Sequence, residues 1–309
     1  MPSGKTVKLI LYEVLQFAAL TVPIFVVMER FAILIRDVKG QDLTAYWLVV
    51  ATSIAYVTSV TLLVWVPLKY LILKRRTFVS EITQWRPTAL AYIILCTFPC
   101  FAILIASSKV MSSKVIVLVT EGAPVDIFLC HLPVSLVLFS LICVDIIERI
   151  RPCKLIGQCK SSKLLVRSYL YSSSSQPRSY SGPLGFLWRK DGRSEVFVDS
   201  FMFWLDTVEM VRVAGEPAVF FSAWVFPVYI LAFMSTLRMV ITPNNPLLSS
   251  AGFALQDLPF FVIRVALIVV FGYVTPVLYP LKNVLVSLTF IYFTFLAKLR
   301  IFRSPAPFC

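Results

Sequence analysis

The chain has 309 residues, of which 59% are hydrophobic and 15% charged, with a net charge of +13 and a mean hydropathy of +0.85. Soluble domains carry about 25% charged residues, so a pair of water-soluble domains is excluded, and the richness in Phe and Tyr excludes intrinsic disorder. The single histidine, His131, excludes a histidine-built metal centre, and seven cysteines set mostly in apolar runs do not read as a secreted disulfide scaffold.

A membrane-spanning helix needs about 20 mostly apolar residues. In chain order, the first candidate is Leu9–Met28, with Glu13 and Gln16 inside it. Lys5 and Lys8 before it resemble the start of a signal peptide, but the internal polar residues and the missing cleavage site favour a retained helix. Tyr46–Leu68 follows, with Trp47 and Trp65 near its ends, and then Thr88–Ala106. The fourth, Val125–Ile147, contains His131, Pro133 and Asp145. The fifth, Val196–Val213, is the least apolar. Ala218–Leu237, Leu258–Leu278 (carrying Arg264) and Asn283–Phe302 complete the set. Pro276, Pro280 and Lys282 read as a tight turn between the last two. The expected fold is therefore all-α: a polytopic transmembrane helical bundle of about eight spans, or seven if the fifth is interfacial. Its parts are a first membrane half (1–147), a basic Ser-rich loop (148–195), a second membrane half (196–303) and a short tail (304–309).

Lys and Arg are retained in cytosolic loops. Alternate inter-span segments hold 21 and 7 basic residues, a split that requires eight spans and places both termini in the cytosol. The surplus charge is then an orientation signal, and no nucleic-acid partner is expected. The fifth segment tests this reading. A central acid costs about 2.5–3.5 kcal/mol on insertion, and one apolar residue returns only about 0.3–0.6. Asp199, Asp206 and Glu209 share one helical stripe. An acidic stripe fits a helix facing protein inside a bundle better than one lying on a membrane surface.

The 148–195 loop cannot bury a core. Its basic and serine residues suit either a solvated linker or contact with anionic lipid, released by phosphorylation. Cys153 and Cys159 are candidate palmitoylation sites beside the fourth span.

Ionisable groups inside spans are costly, so each is a candidate for function. The candidate intramembrane polar network comprises Glu13, Asp145, Glu148, Asp199, Asp206, Glu209, Arg212 and Arg264. One pattern recurs: Asp145-Ile-Ile-Glu148-Arg-Ile-Arg151 and Asp206-Thr-Val-Glu209-Met-Val-Arg212. Its spacing stacks two carboxylates and a guanidinium along one helical face. Helix-end ion networks are one use of this pattern, and a cation or proton site is another. In an antiparallel pair the two motifs would sit at opposite membrane faces, which disfavours one shared site. Glu13 and Arg264 lie at matched depth and could pair; Asp257 is a nearer alternative for Arg264.

No catalytic motif is present in the sequence: there is no Gly-x-Ser-x-Gly elbow, phosphate loop or His-Glu-x-x-His. The expectation is a non-enzyme without cofactor. It would be an adaptor, assembly or regulatory component in contact with the lipid bilayer and a membrane-protein partner. The alternative is a transporter or channel using the intramembrane acids. Organelle, substrate and oligomeric state are not encoded legibly.

Several phrases resemble the transmembrane protein 236 family. They are Trp65-Val-Pro, Trp85-Arg-Pro, Leu132-Pro-Val-Ser-Leu-Val-Leu, Val144-Asp-Ile-Ile-Glu, Asp206-Thr-Val-Glu-Met-Val-Arg-Val-Ala-Gly, Pro227-Val-Tyr-Ile, Asn245-Pro-Leu-Leu, Gln256-Asp-Leu-Pro-Phe, Lys282-Asn-Val-Leu-Val and Arg300-Ile-Phe. The resemblance runs in order from about Leu9 to Phe302, and the serine-rich loop departs from it by looking shorter. It implies a multi-pass membrane protein and no particular activity.

Overall fold

The computed structural model describes residues 4–38, 43–74, 86–119, 132–150, 192–241 and 247–296. Every regular element among them is helical. Helix α1 is Gly4–Val38. Helix α2 covers 43–74 and α3 covers 87–119, each interrupted by one wider π turn, at Thr61–Trp65 and Ile93–Thr97. Helix α4 is Leu132–Ile150 and α5 is Gly192–Val213. A short α6, Pro217–Phe220, precedes α7, which is Val225–Thr236 tightening into a last turn at Leu237–Val240. Helix α8 covers 247–271, with a π turn at Phe253–Asp257. Helix α9 is Leu278–Ile291 and ends in a π turn, Tyr292–Leu296.

Five of these helices are long and apolar enough to cross a membrane: Thr6–Asp37, Leu43–Ile72, Pro87–Lys109, Leu248–Phe271 and Leu278–Phe295. Helices α4 and α5 carry more charge, and α7 is shorter. Three expected boundaries are corrected. Helix α8 begins at Leu247, not Leu258, because Gln256 and Asp257 turn inward to Arg238 and Lys282 instead of ending the apolar run. The run Ala218–Leu237 is not one helix, because the chain turns between α6 and α7, where Ser222 and Ala223 accept turn bonds and the Ser222 hydroxyl accepts from the Trp224 amide. The turn before the last helix lies at 272–277, not at Pro280 and Lys282. Gly272 ends α8 with φ +80°, a conformation glycine adopts without a Cβ penalty. Pro280 falls in the first turn of α9, where a missing amide proton costs nothing.

Three of the π turns have a covalent cause. A proline inside a helix removes the amide that would bond the carbonyl four residues earlier, and its ring crowds that carbonyl. Pro67, Pro99 and Pro259 each stand two residues beyond a π turn. The orphaned carbonyls are then used between helices. Pro99 frees the Leu95 carbonyl, which accepts the Tyr56 hydroxyl of α2 at 2.8 Å. Pro23 frees the Ala19 carbonyl of α1, which lies 3.2 Å from the Tyr92 hydroxyl of α3. Prolines that look disruptive in the sequence thus cross-link α1, α2 and α3.

Two apolar cores result. One gathers Leu20, Ile24, Val57, Trp65, Tyr92, Leu141 and Phe203; the other gathers Leu104, Leu138, Met210, Phe220, Tyr229, Phe260 and Leu267. Trp204 of α5 and Phe233 of α7 pack against both. The two membrane halves therefore interlock. Phe98 and Phe101 of α3 meet Phe233 of α7, and Trp204 of α5 meets Phe139 of α4. Helix α5 runs antiparallel to α4: Ser200 is level with Asp145, and Trp204 donates to the Ser135 carbonyl. It is a member of the bundle along that length. Exposed apolar side chains cover the outer faces, notably on α2 (Leu62, Leu63) and α9 (Leu285, Leu288, Phe293), as lipid contact requires.

Candidate functional site: a buried chain of paired charges

Helix α5 carries the centre of the site. Asp206 is 2% exposed and Arg264 of α8 is fully buried. Arg264 Nη1 donates to Asp206 Oδ1 at 2.7 Å, and Nη2 donates to the Asp206 carbonyl at 3.1 Å. Its guanidinium also lies over the rings of Phe260 and Tyr279. The second carboxylate oxygen of Asp206 accepts from Gln256 Nε2 at 3.0 Å and from Lys282 Nζ at 2.9 Å. Lys282 reaches on to Asp257 Oδ1 at 3.1 Å and to Asn283 Oδ1 at 3.1 Å. One aspartate thus joins α5, α8 and α9.

A second cluster surrounds Asp145 of α4, which is 1% exposed. It pairs with Arg86, which precedes α3, with Arg149 Nε at 3.0 Å and with the Ser200 hydroxyl at 2.9 Å. Arg86 Nη2 also donates to Glu148 at 2.7 Å, and Nη1 donates to the Met239 carbonyl of α7 at 3.3 Å. The Arg86 backbone amide donates to the Val240 carbonyl at 2.7 Å. Burial opposes the charge on Arg86, and the Asp145 and Glu148 carboxylates outweigh that, raising its pKa above the ordinary guanidinium value.

The clusters are joined. Asp199 of α5 pairs with Arg149 at 3.5 Å and with Arg238 of α7 at 3.4 Å. Arg238 Nη1 donates to Gln256 Oε1 at 2.6 Å, and Gln256 donates to Asp206. The result is a continuous chain from Glu148 through Arg86, Asp145, Arg149, Asp199, Arg238, Gln256 and Asp206 to Lys282 and Asp257. Its cations (Arg86, Arg149, Arg238, Arg264, Lys282) match one for one its acids (Asp145, Glu148, Asp199, Asp206, Asp257). An isolated buried charge is very costly, and pairing with hydrogen bonds is what makes burial tolerable.

Two further pairs stand apart. Glu209 accepts from Arg212 Nε at 2.7 Å and Nη2 at 2.6 Å, within one turn of α5. Glu13 of α1 lies 3.4 Å from Lys69 of α2, which also donates to Gln16. The pairing of Glu13 with Arg264 is therefore corrected, because each has a nearer partner on an adjoining helix. Asp257 does not pair with Arg264 either; it takes Lys282, while Arg264 pairs with Asp206. Among the described residues the two repeated motifs form no single pocket and are linked through Arg149, Asp199, Arg238 and Gln256.

His131, Arg151, Cys153, Cys159 and most of the 148–195 loop lie outside the described residues. Sequence reasoning did not find Lys69, Arg86, Arg149, Arg238, Gln256 or Lys282 as site members, because it counted the basic ones as orientation charges. The available signal was numerical: intramembrane acids outnumber the one intramembrane base and require partners from the span ends. Among the described residues no group of three or more His, Cys, Asp or Glu is placed to hold a metal.

The fold and this interior define an integral membrane protein of helical-bundle type whose buried charges are mutually paired. The chain belongs to the transmembrane protein 236 family. It is similar to transmembrane protein 236 of Danio rerio (50% identical, covering all of both chains), of Mus musculus (42%, covering 98% of each) and of Oryctolagus cuniculus (39%, covering 98% of each). No protein-family model and no solved structure matches the chain.

Proposed function

We propose that this protein is a non-enzymatic assembly, adaptor or regulatory component of its membrane, with eight spans and both termini cytosolic. The observation that carries this reading is the pairing of every acid of the candidate network: Glu13, Asp145, Glu148, Asp199, Asp206 and Glu209 each face a cation within the bundle. A solute or ion path needs groups that exchange partners with a passing substrate. Here the carboxylates are committed to arginine and lysine side chains, most of them on other helices, an arrangement that fixes helices relative to one another. The antiparallel packing of α5 on α4 supports its counting as a span, and eight spans follow if α7 crosses with the α6 turn at one face. The outward apolar faces then supply the contact area for lipid and for a membrane-protein partner.

The test uses the full chain with Asp206→Asn and Glu209→Gln. The expected outcome is impaired folding or trafficking, with no difference in ion or solute flux between reconstituted parent and variant. A flux carried by the parent and abolished in a well-folded variant would overturn the reading in favour of a transporter. Topology is checked by a reporter fused after Cys309; an extracellular reporter gives seven spans and a surface-lying α5. Proximity labelling in the native membrane identifies the partner.

A further inference from the structure

At the end of the bundle away from Arg86 lies an open cavity of about 640 Å³ between the end of α5 and the 272–277 turn. Phe271, Val274 and Val277 form much of its apolar wall, and Arg212, Glu216 and Thr275 contribute polar groups. Each of the three has unused bonding capacity among the described residues. Arg212 spends Nε and Nη2 on Glu209, leaves Nη1 without a bond, and keeps its side chain half exposed. Glu216 stands near enough to act on the Arg212 charge, yet it makes no ion pair and its side chain caps no helix amide. Thr275 is 2% exposed and its hydroxyl is buried without a partner. A buried polar atom in that state costs free energy unless something bonds it.

The charges select the occupant. Glu209, Arg212 and Glu216 together sum to minus one, which repels an anion and attracts a cation. The free Arg212 nitrogen nonetheless offers one place for a phosphate oxygen. A group carrying both a phosphate and an ammonium satisfies both. A primary ammonium has three protons to donate, matching the Glu216 carboxylate and the Thr275 hydroxyl oxygen; a quaternary ammonium has none. Around the mouth, Tyr273 is 85% exposed and Val277 and Leu278 are also exposed, an amphipathic rim of the kind found where acyl chains meet headgroups. We propose that this cavity binds the phosphoethanolamine headgroup of a membrane phospholipid, with phosphate on Arg212 and ammonium between Glu216 and Thr275. The site is independent of the adaptor reading and of membrane orientation.

The test is native mass spectrometry of the purified full chain in detergent, titrated with phosphatidylethanolamine, phosphatidylcholine and phosphatidylglycerol. The expected result is one ethanolamine lipid per chain, held about tenfold more tightly than the other two, the size of one charge-assisted hydrogen bond. Glu216→Gln brings the three lipids near parity, and Thr275→Val lowers the ethanolamine preference severalfold; the second variant serves alone if the first does not fold. Excess soluble glycerophosphoethanolamine displaces the lipid if the headgroup is what is recognised. Equal binding of all three lipids by the parent, an undiminished preference in a folded variant, or lipid that resists displacement would each overturn the proposal. Binding of the soluble compound with no lipid retained would overturn the lipid as its source.

Discussion

The same pair of acids, Asp-x-x-Glu, stands in α4 and in α5, and the bundle completes it in two ways. In α4 a single guanidinium from outside the helix, Arg86, serves both Asp145 and Glu148. In α5 the two acids separate: Asp206 draws partners from α8 and α9, while Glu209 is satisfied by Arg212 of its own helix. The difference follows from which cations each helix meets. Asp206 and Arg264 are both enclosed by protein, so they must find each other; Arg212 is half exposed and remains a local partner. The same two acids at the same spacing thus become a clasp between neighbours in one helix and a hub plus a private pair in the other.

The comparison can be broken by mutation, with stability of the detergent-solubilised protein as the measurement. The largest effect is expected from Arg264→Leu, which strips Asp206 of its closest cation. A loss of about 3–5 kcal/mol is expected for breaking a buried pair, read as a fall in thermal midpoint. Arg86→Leu follows at about 2–3 kcal/mol, the range for a hydrogen bond to a charged group, because Arg149 and Ser200 still serve Asp145. A double-mutant cycle on Asp206 and Arg264 should give a coupling of about 1–3 kcal/mol, whereas the same cycle on Glu209 and Arg212 should give about 0.5 kcal/mol, as for an i,i+3 helical pair with one half-exposed partner. Equal couplings would remove the distinction between hub and private pair. Smallest is Glu209→Gln alone, expected within about 1 kcal/mol.

The apolar runs and the positions of the acids were legible in the sequence, because both are properties of single residues. Among the described residues the helices overlap the runs, apart from the break after α6 and from α8, which begins at Leu247 rather than Leu258 and ends earlier. That end is marked by Gly272, while the paired prolines drew the turn several residues too far along. Partner choice was not legible. Lys69, Arg86 and Arg238 sit at span ends, where basic residues are expected for orientation, and only packing shows that they turn inward. The count of spans rests on α4, α5 and α7, whose charge or shortness makes them look marginal alone; the acids of α4 and α5 are neutralised partly within their own helices and partly by residues far away in sequence.

The π turn at Phe253–Asp257 has a consequence for register. Successive residues of an α-helix are rotated by about 100°, so one extra residue in a turn resets which side chains beyond it face inward. In the wider turn Gln256 and Asp257 are both buried, and they serve different partners. The turn holds one residue more than the helix would otherwise accommodate. Deleting a single residue there would restore regular winding and swing Leu258 onward by about one residue's rotation relative to the helix start. Gln256 and Arg264 could then no longer face Asp206 together. The helix is indexed like a gear with one added tooth, and loss of that tooth would disengage the charge chain more completely than any one substitution along it.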